Sequence, residues 1–272
     1  MILGNSLERP YGWLVPTVAA LGCFFLLLPV VFVVLFSFND GAYFHWPPTG
    51  VTLRWYVNFF TSERFMRATG NSLLIAFAVT PACVLVALPT ALAVARGHFP
   101  GRNLVAALLL SPLIVPGVVT GVALLSFFAA VNVEIGIGRL LIGMFILGLP
   151  FAVRALVADL IGLDPRIEEA ARNLGAGRWR AFFLVTFPQL KSGMMAGGVF
   201  VFVEAIDNFS VSVFLTTERT AVLPVVAYQY IRDFDDPTVA AMATLLILLS
   251  CVLVFAIEKL IGFERMMQIK RK

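Results

Sequence analysis

Six long apolar segments, separated by shorter polar intervals, dominate the pattern of this chain. All six exceed the length of about 20 residues that a helix needs to cross a bilayer. The apolar runs are continuous rather than alternating, which favours helices over a membrane β-barrel. We therefore predict an all-α polytopic membrane protein with one transmembrane domain over residues 1–272. The predicted spans are 13–36, 71–95, 104–131, 138–158, 192–215 and 239–262, with a polar loop at 159–190.

Composition and charge agree with this pattern. Hydrophobic residues make up 60% of the chain and the mean hydropathy is +0.93, whereas soluble domains average roughly 45–50% apolar. The layout of six spans places 14 of the 20 Lys and Arg residues on one side of the membrane and 6 on the other. By the positive-inside rule we predict that both termini and the loop 159–190 are cytoplasmic. Topology then explains the net charge of +4 without a nucleic-acid partner.

Residues that commonly carry catalysis or metal binding are scattered. Cys23, Cys83 and Cys251 all fall inside apolar spans, so neither a disulfide framework nor a metal cluster is indicated. His45 and His98 stand alone in separate loops. We predict no catalytic residue and no metal site in this chain. The sequence also contains no G-x-x-x-x-G-K-[ST] phosphate loop, so any ATP would have to bind to another subunit.

The loop 159–190 carries the most informative local signals. Asp164 followed by Pro165 is typical of a helix start, and it predicts a short helix over Glu168 to Leu174. Gly175 can adopt a positive φ and is expected to end this helix. A second short helix should follow Gly177. The sequence thus predicts two short helices joined by a glycine elbow outside the bilayer.

This interval resembles the EAA signature of permease subunits in binding-protein-dependent ABC importers. The resemblance rests on Glu169-Ala170-Ala171, Gly175, Val185, Phe187 and Pro188. Two positions depart from the usual pattern, Val185 for isoleucine and Phe187 for leucine, and both stay apolar. The resemblance implies that the loop is the coupling helix, which docks on a cytoplasmic ATPase subunit. The residues implied in this contact are Glu168, Glu169, Ala170, Ala171, Leu174, Gly175 and Arg178.

Two acidic residues fall deep in the fifth predicted span. Glu204, Asp207 and Asn208 have spacings of i, i+3 and i+4, which predicts one shared helix face. An ionisable group inside a membrane costs on the order of 2.5–3.5 kcal/mol, so compensation is required. One interpretation is a patch lining the permeation route that attracts a cation. The other is interhelical hydrogen bonding, and the sequence leaves both open.

The fifth span and its surroundings resemble the polyamine branch of these permeases, in particular the second of its two membrane subunits. The similar positions are Glu204 to Phe209, Ser212 to Leu215, Leu223-Pro224 and Ala241 to Thr244. Phe209 and Phe214 are then expected to take part in an outer gate. Relatives with much the same pattern are associated with opines and other small polar molecules, so the solute is not determined.

The resemblance implies a type I ABC importer permease fold and no enzymatic activity in this chain. The expected partners are a homologous second permease, two cytoplasmic ATPase subunits carrying ATP and Mg, a periplasmic solute-binding protein and the lipid of a bacterial inner membrane. The expected solute is small, polar and cationic, such as a polyamine or an opine or amino-acid-like molecule. Two alternatives remain from the sequence: a secondary transporter or channel subunit that is not coupled to ATP, and a membrane scaffold.

Overall fold

The computed structural model describes residues 14–41, 50–132 and 135–269 of the chain. Helices fill most of these residues, together with one isolated antiparallel bridge between Asn39 and Val51. His45 and the charged tail at 270–272 lie outside the described residues. The helices are α1 Leu14–Ser37, α2 Arg54–Thr61, α3 Glu63–Arg96, α4 Arg102–Leu110, α5 Gly117–Ala130, α6 Gly138–Gly162, α7 Pro165–Asn173, α8 Arg178–Ala181, α9 Phe187–Gln189, α10 Lys191–Asp207, α11 Phe209–Leu215, α12 Leu223–Asp233 and α13 Thr238–Ile269.

Four of these helices are long and apolar enough to cross a membrane by themselves. They are α1, α3, α6 and the part of α13 at Thr238–Ala256. Two bent helix pairs, α4 with α5 and α10 with α11, are also long and apolar enough when the two helices of each pair are taken together. The described chain therefore contains six candidate spans when each bent pair is counted as one. This is the all-α, polytopic architecture that the apolar pattern predicts.

The chain divides into two compact units, Met1–Ser62 with Tyr230–Leu248, and Glu63–Gln229 with Leu249–Lys272. In the first unit, helix α2 is held by side-chain hydrogen bonds. The Trp55 indole donates to the Asn39 carbonyl at 2.6 Å, and the Asn58 amide donates to the Thr238 hydroxyl at 2.9 Å. Helix α2 is amphipathic, with Trp55 and Phe59 buried and Phe60 exposed.

The second unit is built on close packing of α3, α6 and α10. Glycines allow the contact: a Cβ added at Gly197 would lie 3.0 Å from Ala152 Cα, and one added at Gly148 would lie 2.9 Å from Val201 Cγ1. Small residues at helix crossings let backbones approach closely in membranes. Gly197 of α10 and Gly148 of α6 therefore serve close helix packing.

The third predicted span, residues 104–131, is not one continuous helix. Helices α4 and α5 meet at an angle of 100°, with a 3₁₀ turn at Ser111–Leu113 between them. Pro112 and Pro116 explain the break, because proline lacks an N–H donor and disfavours helical conformation in the residue before it. The predicted span is therefore divided into two helices at its prolines.

Other predicted boundaries also differ from the helices. The second span, predicted at 71–95, lies within a longer helix that begins at Glu63. The first residues of the predicted loop 159–190 still belong to α6, which ends at Gly162. The fifth span, predicted at 192–215, is bent by 53° between α10 and α11. Backbone hydrogen bonding sets where a helix begins and ends, and hydrophobicity does not report it. Helix boundaries near polar residues and prolines are therefore hard to predict from the sequence.

Candidate functional site

Helix α7 begins as the Asp164-Pro165 signal predicts. The Asp164 carboxylate accepts a hydrogen bond from the Arg166 backbone N–H at 3.0 Å, and Pro165 occupies the first helical position. The cap satisfies one of the N–H groups that a helix start leaves without a partner, and Pro165 has no N–H that would require an acceptor. The helix runs over Pro165–Asn173, so the predicted short helix is confirmed with an earlier start.

Gly175 ends α7 with a left-handed backbone conformation. Its φ is +92°, its N–H donates to the Arg172 carbonyl at 3.0 Å, and the Ala176 N–H reaches back to the Ala171 carbonyl at 3.1 Å. These two bonds form a Schellman motif, which satisfies carbonyls at a helix end and turns the chain sharply. The predicted glycine elbow is confirmed, and α8 begins at Arg178 after it.

Glu168 lies on the inner side of α7 and joins three parts of the chain. Its Oε2 accepts from Arg96 Nη1 at 2.8 Å and from Thr186 Oγ1 at 2.6 Å. The side chains of Arg96 and Glu168 keep only 29% and 22% of their exposure, and Thr186 is buried. Charge-assisted bonds in such a partly buried setting are stronger than those between exposed side chains. The carboxylate therefore ties α7 to the end of α3 and to the segment before α9.

A π-helical turn at Phe182–Thr186 places Thr186 against this carboxylate. The turn closes with a bond from the Phe187 N–H to the Phe182 carbonyl, five residues back. Pro188 follows directly and cannot donate to the carbonyl four residues earlier, and a wider turn is one way for a helix to accommodate a proline. Such π turns occur often at functional positions.

The outer side of α7 is open to its surroundings. Glu169 and Ala170 are exposed, Ala171 is half-buried, and Leu174 at the elbow is 89% exposed. The Leu174 side chain stands out from the turn at the elbow, so it is available for a contact with another subunit. Of the predicted coupling residues on α7 and at its end, Glu169, Ala170 and Leu174 thus face outward, whereas Glu168 faces the interior of the unit.

Arg178, the last of the predicted coupling residues, lines a cleft of about 490 Å³ on the inner side of the loop. The other walls come from the final turns of α3 and from the start of the second short helix. The lining residues are Leu88, Pro89, Leu92, Ala93, Arg96, Gly97, Glu168, Arg178, Trp179 and Phe182. The cleft is apolar along α3 and charged where α3 ends.

A second carboxylate link, at Asp159, was missed by sequence reasoning. Its Oδ2 accepts from the Ser192 hydroxyl at 2.8 Å and from the Gly193 backbone N–H. A carboxylate at the start of α10 complements the positive end of the helix dipole. The bond joins the end of α6 to the beginning of α10, on the same side of the span as the loop. The signal available in the sequence was a lone acid at the end of an apolar span.

Asn208 marks the break between α10 and α11. Its backbone is extended (φ −68°, ψ 104°), its Oδ1 accepts from the Val211 N–H at 2.9 Å, and its Nδ2 donates to Glu204 Oε1 at 2.6 Å. Asparagine is a strong N-cap residue because its side chain replaces a missing backbone bond. Asn208 follows the last residue of α10, and its bond to Glu204 Oε1 places these two side chains together, as their i, i+4 spacing predicts.

The remaining predicted route residues lie around this break. Asp207 is the last residue of α10 and is exposed. The Phe209 ring packs against Tyr228, with centroids 4.9 Å apart. Phe214 packs on Gly121 of α5, where an added Cβ would lie 2.6 Å from its ring. The structure therefore gathers Glu204, Asp207, Asn208 and Phe209 at one break and places Phe214 in a helix contact. The involvement of all five in permeation stays a prediction.

Comparison with known proteins gives the class. Residues 84–264 match the family model described as binding-protein-dependent transport system inner membrane component, and the chain belongs to this family. It is thus a multi-pass inner-membrane component of a transport system, as the loop signature predicts. Among the described residues, no cluster of His, Cys, Asp or Glu could hold a metal ion.

Individual relatives and a solved structure show which kind of transport component the chain resembles. The chain is 30% identical over 233 residues to the spermidine/putrescine transport system permease protein PotC of Escherichia coli K12, covering 85% of this chain and 88% of that protein. It is 32% identical over 236 residues to the putrescine transport system permease protein PotI of the same strain, covering 84% and 83%. A crystal structure of a bacterial alginate ABC transporter in complex with an alginate pentasaccharide-bound periplasmic protein has the same fold, with a TM-score of 0.66, 16% identity and 92% coverage of both chains. The chain is a permease of the ABC importer type.

Proposed function

We propose that the outward face of α7 couples ATP hydrolysis on partner subunits to solute movement through this permease. The single observation that carries the proposal is the exposed tip at Leu174, held by the Gly175 elbow while Glu168 anchors the same helix from within. A docking element must be exposed to reach its partner and fixed to transmit force. Glu169, Ala170 and Leu174 contact the ATPase in this proposal, and Ala171 packs beneath them.

The proposed assembly contains this chain, a homologous second permease, two ATPase subunits and a periplasmic solute-binding protein. ATP and Mg bind to the ATPase subunits, and this chain performs no covalent chemistry. The excess of Lys and Arg on one side supports an orientation in which both termini and the loop are cytoplasmic. Closure of the ATPase pair moves α7, and the bonds of Glu168 pass this motion to α3.

The proposed solute is a small polar cation, of polyamine or opine and amino-acid-like type. Its route passes the break between α10 and α11, where Asp207 is exposed and Glu204 accepts a hydrogen bond from the Asn208 side chain. The similarity to permeases named for spermidine and putrescine supports a cationic solute. Phe209 and Phe214 contribute to the outer gate in this proposal.

The test uses the whole transporter in nanodiscs with its binding protein. We expect putrescine or spermidine to stimulate ATP hydrolysis more than neutral amino acids or opine-like solutes do. A cysteine at Ala170 should form a cross-link to the ATPase subunit, whereas one at Ala176, on the far side of the elbow and half-buried, should react far less. A response confined to an anionic solute would overturn the cation proposal, and absence of the Ala170 cross-link would overturn the docking proposal.

A further inference from the structure

The cleft between α3 and the loop combines an apolar wall with a charged end. Its volume is about 490 Å³, and one wall consists of Leu88, Pro89, Leu92 and Ala93. These residues repeat at intervals of three and four, so they form one stripe along the last turns of α3. Small-molecule sites commonly have this volume, an apolar wall and a few polar groups that fix orientation.

The position of this wall relative to the membrane follows from α3. The helix ends at Arg96, and Leu88 lies eight residues before that end, which corresponds to about 12 Å along the helix. The cleft therefore begins among the acyl chains and ends at the level of the headgroups. A phospholipid has the same order of chemistry, with an apolar chain below and a phosphate above.

Charge in the cleft favours an anionic headgroup. Arg96 is neutralised by Glu168 at 2.8 Å, whereas Arg178 lines the cleft and has no ion-pair or hydrogen-bond partner among the residues that the structure describes. Arg180 and Arg172 add positive charge nearby and are exposed. Guanidinium groups bind phosphate in a bidentate manner, and anionic lipids attract basic residues beside a membrane span.

The aromatic residues of the segment agree with a position in the interface. Trp179 is 73% exposed and stacks on Phe183, with ring centroids 6.3 Å apart. Leu184 is also exposed, at 67%. Tryptophan together with arginine is typical of helices that rest at the headgroup level. The second short helix therefore presents a membrane-facing side, distinct from the Leu174 tip of α7.

We infer that this cleft binds an anionic phospholipid of the adjacent leaflet, with its acyl chain along Leu88 to Ala93 and its phosphate on Arg178. The lipid fills the space between the end of α3 and the loop, so it stabilises the position from which α7 reaches outward. The inference rests on the proposed function in one respect: the loop must be cytoplasmic for the adjacent leaflet to be the cytoplasmic one.

The test measures quenching of Trp179 by acyl-brominated lipids in the assembled transporter. The Trp179 signal is the difference between the natural chain and Trp179→Phe. We expect brominated phosphatidylglycerol to be preferred over brominated phosphatidylcholine by about fivefold, the effect of one basic residue at the surface. Arg178→Gln should abolish the preference. Arg180→Gln, an equal charge change two residues away and outside the cleft, should preserve it. Ala93→Phe should fill the cleft and reduce quenching by both lipids.

Several results would overturn the inference. Equal quenching by the two lipids, or equal effects of Arg178→Gln and Arg180→Gln, would show a diffuse attraction instead of a site. Unchanged quenching in Ala93→Phe would place the lipid outside the cleft. Quenching in the isolated permease pair that disappears in the full transporter would assign this surface to the ATPase. In the same discs, normal stimulation of ATP hydrolysis by the solute-loaded binding protein would show that the proposed function stands even where the lipid site fails.

Discussion

The elbow at Gly175 and the break at Asn208 both interrupt helices beside a carboxylate, but they satisfy their polar groups differently. At the elbow, Glu168 bonds to Arg96, 72 residues away in the chain, and to Thr186, 18 residues away. At the break, the Asn208 side chain donates to Glu204 Oε1 and accepts from the N–H of Val211, so both bonds stay between residues close in the chain. The first arrangement connects distant segments, whereas the second only stabilises a bend.

This difference bears on function. A carboxylate that holds three segments together transmits displacement, because moving α7 must move α3 or break charge-assisted bonds. At the break, the described hydrogen bonds of Glu204 stay within α10 and its cap, so they do not hold α10 to another helix of this chain. Asp207 is exposed there. The break is therefore suited to face a group outside this chain, which in the proposed function is the solute or the second permease.

The largest expected effect comes from Glu168→Gln. Loss of the charge leaves Arg96 without its ion pair, which should lower the free energy of unfolding by about 1–3 kcal/mol and reduce solute-stimulated ATP hydrolysis about tenfold. Thermal unfolding and ATPase assays of the assembled transporter would measure both.

Glu63→Gln is the matched control for this change. Glu63 pairs with Arg67 at 2.6 Å, but the two side chains are 80% and 72% exposed, so the loss should be only about 0.3–0.5 kcal/mol. Equal effects of the two substitutions would contradict a transmitting role for Glu168. In a double-mutant cycle, Arg96→Gln should add little to Glu168→Gln, because both remove the same pair.

The next effect in size is that of Gly175→Ala. A Cβ at this position meets no atom within 4 Å, so the cost comes from the positive φ alone, and it should be about 1–2 kcal/mol. The docked geometry then becomes about 5–30 times less populated, and stimulated ATP hydrolysis should fall accordingly. Gly177→Ala is the control, since its space is equally open but its φ is −61°. Similar losses in both variants would mean that the elbow conformation is not what matters.

A smaller effect is expected for Asn208→Ala. The substitution removes the cap of α11 and the partner of Glu204, with an expected cost of about 1 kcal/mol. Asn208→Ser keeps a capping oxygen and should recover most of the stability. Melting temperatures of the purified transporter would compare the two variants, and an equal loss in both would show that the cap does not stabilise the break.

The smallest effect on stability, and the sharpest on solute recognition, is expected for Asp207→Asn. The side chain is exposed, so the melting temperature should be unchanged. The KM for uptake of a polyamine should rise about fivefold if this carboxylate attracts the cation in the route. Glu218→Gln, an exposed acid in the loop after α11, should leave the KM as it was. An unchanged KM in Asp207→Asn would remove this residue from the proposed route.

The sequence by itself determined those features that depend on neighbours along the chain. The candidate spans follow from continuous apolar runs, and the start of α7 follows from an acid and a proline that cap a helix wherever it occurs. The elbow follows from a glycine whose conformational freedom is local. The family signature could be identified for the same reason, since its residues lie within a segment of 20 positions.

Only the tertiary structure decided which polar groups meet. Nothing in the spacing of Glu168 pointed to Arg96 and Thr186, and nothing near Asp159 pointed to the start of α10, because hydrogen bonds across the fold depend on how α3, α6 and α10 pack. The spacing of Asn208 placed it beside Glu204, and its Nδ2 does donate to Glu204 Oε1, but nothing in the spacing indicated that its Oδ1 caps α11. A cap of this kind contributes only about 1 kcal/mol, so packing around the break decides whether the chain bends there, and a hydrophobicity pattern cannot show it.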